Sequence, residues 1–224
     1  DLIGESMAGR KTTLICAAIL IFSTVALGIQ DIHLPRPSMD NPTTLMEALS
    51  LRRTSREFAA DPIPLQTVSD LLWAAFGVNR PDSGKRTAPS AMNMQEIDIY
   101  VAAERGLFLY DPGEHMLRMV VDADLRAATG MQSFVASAPL NLVLVADYSR
   151  MDPRNRGMTD ETKMFYAACD AGYISQNIYL FCAANSLATV ARGAVDRDAL
   201  ALAMELEPHQ HVILAQTVGW PASP

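Results

Sequence analysis

The chain has 224 residues, half of them apolar by count, and a formal charge of −7 from 18 Lys and Arg against 25 Asp and Glu. That length suits one domain with a substantial core, or at most two small ones. The acidic balance excludes a general nucleic-acid binder, which would present a basic face, so a local basic cluster is informative.

Met7 follows six residues that read as upstream or read-through sequence. Arg10 and Lys11 form a basic start, an uncharged run extends from Thr12 to Gln30, and Ala26 and Gly28 have the small-residue spacing of a signal-peptidase site. Residues 1–28 are therefore expected to be a signal peptide cleaved after Gly28, exporting the protein to a bacterial periplasm. The alternative is an uncleaved N-terminal membrane anchor, because the apolar run is only slightly short for a span. Cys16 lies outside a lipoprotein pattern, since Thr13 stands where an aliphatic residue belongs.

Residues 29–42 are Pro-rich and read as an extended lead-in. Asn41-Pro42-Thr43 then signals a helix start, with Glu47 early in the helix. That helix, TTLMEALSLRR, ends near three arginines. In the next segment Leu65, Val68, Leu72 and Ala75 recur at helical spacing, with Gly77 placed as a C-cap. NRPDSGKRTAPSAMNMQ is dense in turn formers and without periodicity; loops of that length in a compact domain are usually functional.

Three strands are predicted next, at 97–103, 107–111 and 115–121, joined by turns at Arg105-Gly106 and Pro112-Gly113 in an antiparallel meander. Short helices are expected within 122–137. LNLVLVADY, at 140–148, is a continuous apolar run typical of a strand buried on both faces. A long helix is predicted from about Thr159 to Ser186, with Met164, Ala168, Ala171, Ile174, Ile178 and Phe181 on one stripe. A shorter helix starts at Asp196, and HVILAQTVGW supplies a last buried strand. The order implies an α+β fold: one mixed sheet with helices on both sides.

Cys169 and Cys182 fall on different faces of the long helix and cannot pair with each other. The four histidines, His33, His115, His209 and His211, form no metal spacing with the cysteines. HQH at 209–211 reads as the entry to a strand.

LRRTSREF, at 51–58, admits two readings. Arg52 and Arg53 at a helix C-terminus complement the macrodipole and cap free carbonyls. Equally, guanidinium forks beside Thr54 and Ser55 suit a phosphate. The later segment Pro89-Ser90-Ala91 with Asn93 and Gln95 is ordinary turn chemistry by itself. Its small residues also permit close approach to a flat ligand, with Ser90 and Asn93 as polar handles.

Together the two segments resemble a known family. Arg52-Arg53-Thr54-Ser55-Arg56-Glu57-Phe58 is similar to the Arg-x-Ser/Thr-x-Arg/Lys-x-Phe opening of nitroreductase-like flavoproteins, and APSAMNMQ to their Pro-Ser-x-x-Asn-x-Gln loop. LLWAAFGVNRPDSGKRTAPSA is closer to the SagB-type (thiazole/oxazole dehydrogenase-like) branch. ASAPLNLVLVADYSRM, DAGYISQNIYLFCAANSLATVARGAVDRDAL and AQTVGWP continue the likeness, which covers roughly 43–221 and makes 43–224 one flavin domain.

The resemblance implies a nitroreductase-like α+β fold with a mainly antiparallel sheet and a homodimer binding FMN at its interface. By position, Arg52, Arg53 and Thr54 would hold the phosphate, and Arg56 the pyrimidine edge. Pro89, Ser90, Ala91 and Asn93 would meet the isoalloxazine from the other subunit. Gln132 matches a polar position at the N3/O4 edge, although Gln is also an ordinary surface residue. Arg192 and Gly193 occupy the place of a loop near N5, or simply a turn into the Asp196 helix. Many members continue past the last strand into an arm with further phosphate ligands. Here the sequence stops at GWPASP, which would put more of the phosphate on Arg52 and Arg53.

The implied activity is hydride transfer from a reduced donor, NAD(P)H being one possibility, through flavin N5 to a quinone or nitroaromatic. No side-chain nucleophile is needed, because the cofactor carries the chemistry. NAD(P)H is not expected outside the cytoplasm, which conflicts with export. The alternatives are oxidation of peptide azolines to azoles, and a non-catalytic flavin-binding module.

Overall fold

The computed structural model describes residues 30–152, 154 and 157–222; the expected signal peptide at 1–28 lies outside the described residues. Among those described, no helix is long and apolar enough to cross a membrane.

The lead-in is extended as expected and also pinned. Its two-residue strand β1 (Ile32–His33) pairs with a later strand of the sheet. Helix α1 (Leu45–Leu51) begins two residues after the predicted start at Thr43, because Thr44 and Glu47 form a reciprocal capping box. The Thr44 hydroxyl accepts the Glu47 N–H at 3.2 Å, and the Glu47 carboxylate accepts the Thr44 N–H at 2.8 Å. Helix α2 (Leu65–Phe76) buries Val68, Leu71, Leu72, Ala75 and Phe76. Gly77 ends it in extended rather than left-handed geometry. Glycine is required there by crowding, since a Cβ would lie 2.4 Å from the Trp73 ring.

The long turn-rich loop contains a small hairpin, β2 (Val78–Arg80) and β3 (Lys85–Arg86). The meander follows as β4 (Ile97–Ala103), β5 (Gly106–Asp111) and β6 (Met116–Val121). Two 3-10 turns occupy Arg126–Thr129 and Ser133–Ala136. Then come β7 (Leu140–Asp147), α3 (Asp160–Ala184), β8 (Ala188–Arg192), α4 (Arg197–Ala203) and β9 (Gln210–Gly219). Strand β8 has no counterpart in the sequence reading, where Val190–Val195 is a loop or turn. Its five residues carry an alternation too short to register without β9 beside it.

The sheet runs β1-β6-β5-β4-β7-β9-β8, and every pairing described is antiparallel. Strand β7 lies between β4 and β9 and buries its first seven residues on both faces, which explains its unbroken apolar run. One face, with Ile97, Ile99, Val101, Leu142 and Leu144, packs against α2 and α3. The other, with Tyr100, Val143, Val145 and Ala215, packs against Leu200 and Met204 of the α4 segment.

The expected stripe on α3 holds at Ala171, Ile174 and Ile178 and fails at its start. Ala167 and Cys182 are buried, whereas Met164 and Ala168 are exposed. A 25-residue helix with apolar residues on two faces lets a periodicity count slide from one face to the other.

Candidate functional site

The basic segment leaves α1 at Arg52 and crosses the end of the sheet. Ser55 N–H donates to the Thr189 carbonyl at 3.0 Å, Ala59 N–H to that of Trp220 at 3.0 Å, and Phe58 bridges Pro221. The Phe58 ring meets Phe134 at 5.3 Å. This anchoring is made by the backbone and uses none of the charged heads. Among the described residues, Arg52, Arg53 and Arg56 form no ion pair. Arg52 is not a simple dipole cap: its guanidinium lies over the Tyr179 ring, 5.3 Å from the centroid.

Tyr179 is the residue that sequence reading missed. Its hydroxyl accepts the Ala191 N–H at 2.9 Å and meets the Thr54 hydroxyl at 3.1 Å. One side chain of α3 thus ties the basic segment to β8. Its sequence signal, an aromatic beside the buried stripe, is indistinguishable from core. A groove of about 240 Å³ opens here, lined in part by Arg53, Ser55, Tyr179, Cys182 and Thr189. Complete burial pushes the Cys182 thiol far up, so it stays protonated and unreactive.

Gln132, Arg192 and Gly193 come together at the adjoining corner, where Met131 N–H reaches the Ala194 carbonyl at 3.4 Å. Arg192 points inward and is 4 % exposed. Its Nε donates to the Thr217 hydroxyl at 3.0 Å, Nη1 to the Thr129 carbonyl at 2.7 Å and Nη2 to Asn141 Oδ1 at 3.2 Å. Burial lowers it to about 10, so it stays charged at neutral pH while knitting β7, β8 and β9 together. Gly130 makes room for it, since a Cβ there would fall 1.8 Å from Nη1. Gly193 has the opposite character: nothing lies within 4 Å of its Cβ position, so packing does not explain it. Gln132 Oε1 is buried without a partner.

The Pro-Ser loop lies elsewhere. Met92, Asn93 and Gln95 all adopt left-handed backbone, at φ 51°, 56° and 50°. For side-chain-bearing residues this is a strained run, held by internal bonds. Ser90 Oγ accepts the Gln95 N–H at 3.0 Å, Gln95 Nε2 donates to Asn93 Oδ1 at 3.1 Å, and Arg86 Nε donates to Gln95 Oε1 at 2.8 Å. Ala91 N–H donates to Asp170 of α3 at 2.8 Å. Pro89 is exposed at the start of the loop.

Helix α3 therefore carries both halves of the predicted site. Asp170 backs the loop and Tyr179 backs the basic segment, nine positions apart on one helix. That spacing is about 13 Å along the axis and roughly half a turn around it. Within one chain the two halves lie on opposite sides of α3. An apolar cavity of about 340 Å³, lined partly by Ile63, Val68, Val101, Phe108 and Leu140, contains neither half.

Comparison with known proteins agrees with this architecture. A sequence model described as the Nitroreductase family matches residues 49–220. A protein of Methanocaldococcus jannaschii assigned as a nitroreductase is 31 % identical over 160 residues, covering 67 % of this chain and 78 % of that one. A solved structure from Ralstonia eutropha, also assigned as a nitroreductase, is 44 % identical, with a TM-score of 0.81 over 87 % of this chain and 90 % of its own. A protein of Desulfovibrio desulfuricans, assigned likewise and solved in complex with FMN, shares the fold at 22 % identity and a TM-score of 0.57, covering 82 % and 88 % of the two chains. These matches identify the family as a whole and do not single out its azole-forming branch. This chain belongs to the Nitroreductase family.

Proposed function

We propose that the protein is an FMN-dependent oxidoreductase that acts as a homodimer and passes hydride from a reduced donor to an organic acceptor such as a quinone or nitroaromatic. The observation that carries this reading is positive charge without a partner. Arg52, Arg53 and Arg56 lie within five positions of a chain of charge −7, yet no carboxylate among the described residues pairs with them. A bound phosphate would supply that missing charge through forked, charge-assisted hydrogen bonds. The unpaired Gln132 Oε1 offers an acceptor to a ring N–H, and Gly193 leaves space for a flat group.

Bound FMN supplies the two-electron chemistry. The chain's own work is to hold and orient it. Arg52, Arg53 and Thr54 bind the phosphate. Arg56 presents a fixed cation to the pyrimidine edge, a preorganised charge that favours negative charge developing there. The Pro-Ser loop of a second copy walls the ring and excludes water.

The second copy is supported by the outer faces of α1 and α3. Helix α1 buries only Ala48, while Leu45, Met46, Leu49 and Leu51 are exposed. On α3, which packs against α1, Met164, Phe165 and Tyr173 are exposed. Gly172 is exposed there too, with nothing near its Cβ position. A mid-helix glycine costs roughly 1 kcal/mol relative to alanine, and close approach by another backbone gives it a reason.

Absorbance of the purified protein, followed by anaerobic bleaching with NAD(P)H or a quinol and reoxidation by a quinone, tests the reading. A protein that neither copurifies with FMN nor binds added FMN overturns it. One whose bound flavin no donor reduces is a carrier. NAD(P)H as donor and export to the periplasm compete, and the donor panel separates them.

A further inference from the structure

Strand β8 lies at the edge of the sheet, paired with β9, and its Ala191 N–H is met by Tyr179 of α3. The Tyr179 hydroxyl oxygen accepts that N–H at 2.9 Å and lies 3.1 Å from Thr54 Oγ1. The Arg52 guanidinium sits over the ring of the same residue. One half-buried side chain thus meets both Arg52 and Thr54. The Ser55 N–H bond to the Thr189 carbonyl fixes the backbone beside Thr54, so that contact is held from two sides.

The direction of these bonds follows from the chemistry of the two hydroxyls. A phenol is a stronger acid than an aliphatic alcohol, which makes it the better donor and the poorer acceptor. The Tyr179 oxygen already accepts from Ala191, so its single proton goes to Thr54 Oγ1. That fills the acceptor side of Thr54. The Thr54 proton then has no other acceptor among the described residues, and Thr54 is exposed, so the proton is left for a ligand. The ring contact likewise holds the Arg52 charge without neutralising it.

We propose that Tyr179 is a positioning residue for the phosphate: its hydroxyl donates to Thr54 and fixes Thr54 as a donor, while its ring holds the Arg52 charge beside it. An ionised phosphate is rich in acceptors and carries the opposite charge. The segment is therefore set for a phosphate before one arrives, which leaves less to reorganise on binding. The consequence is specificity. Tyr179 makes the site favour the phosphorylated flavin over riboflavin, whose terminal hydroxyl carries no charge. The proposal rests on the flavin reading for the identity of the ligand, and not for the contact of a phosphate with Thr54 and Arg52.

The test titrates the whole protein with FMN and with riboflavin. Tyr179→Phe keeps the ring and removes the hydroxyl; Tyr179→Leu removes both. The first should weaken FMN binding about threefold to tenfold and the second about tenfold to fiftyfold, with riboflavin affinity unchanged in each. Because the hydroxyl acts through Thr54, adding Tyr179→Phe to Thr54→Val should cost nothing beyond Thr54→Val alone. An equal loss for both flavins, no loss in either Tyr179 variant, or additive losses in the double variant would each overturn the proposal. If Tyr179→Leu does not fold, Tyr179→Phe and the double variant decide. A wild-type protein that binds neither flavin refutes the flavin reading, and inorganic phosphate then decides this one. Phosphate should shift the Thr54 amide resonance, with an affinity about threefold to tenfold weaker in Tyr179→Phe. In that case equal phosphate affinity in the two proteins, or none in the wild type, overturns it.

Discussion

The two halves of the site are built in opposite ways. The basic segment at 52–58 is pinned through its backbone, to Thr189, Trp220 and Pro221, and leaves its guanidinium groups without a carboxylate partner among the described residues. The Pro-Ser loop is held through side chains, Ser90, Gln95 and Asp170, and its strained backbone is locked before any ligand arrives. The first half has charge in want of a counter-charge, and so gains most on binding. The second would serve the proposed site as a preformed wall, whose value is that it need not reorganise.

Breaking the proposed contact between copies should have the largest effect, because the two halves lie on opposite sides of α3 in one chain. Gly172→Glu places a charge where helices are proposed to meet. It should yield monomers in light scattering and empty the flavin site altogether. An unchanged dimer with full flavin would move the interface elsewhere. Next, Arg53→Ala should raise the FMN dissociation constant about tenfold to a hundredfold, the loss of one charge-assisted contact worth roughly 1.5–3 kcal/mol. The melting temperature of the flavin-free protein should not change, since Arg53 forms no ion pair among the described residues. Flavin fluorescence and calorimetry read the two quantities separately.

On the loop the pattern should invert. Asn93→Val puts a β-branched residue at φ 56°; urea unfolding should show a loss of about 1–2 kcal/mol even without flavin, and Asn93→Gly should show almost none. Ser90→Ala should lose less than Asn93→Val, since it strands only the Gln95 N–H at a cost of about 1 kcal/mol. If the loop substitutions leave the flavin-free protein untouched while Arg53→Ala destabilises it, the contrast between the halves is wrong.

Much of the fold was legible beforehand because its cues are local. The early Glu47 of the first helix, the period of Val68, Leu72 and Ala75, the turns at Gly106 and Gly113 and the double-sided apolarity of 140–147 each act within a few residues; Leu65, the first position of that period, is exposed. Strand β8 was not legible, since five residues at a sheet edge are strand only because β9 pairs with them. The basic segment and the Pro-Ser loop could be read as motifs. Their support could not, because Tyr179 and Asp170 look like two ordinary positions in a 25-residue helix.

The sequence by itself determined most of the helices and strands, the all-round burial of β7 and the gathering of three arginines in one short segment, because periodicity, capping and charge are properties of neighbours along the chain. Tertiary structure alone decided that Arg192 turns inward as a tie, that Asp170 reaches from α3 to the Ala91 N–H, and that one helix holds the halves of the site apart. Those outcomes depend on which distant residues share a low-dielectric interior, and neither spacing nor composition encodes that.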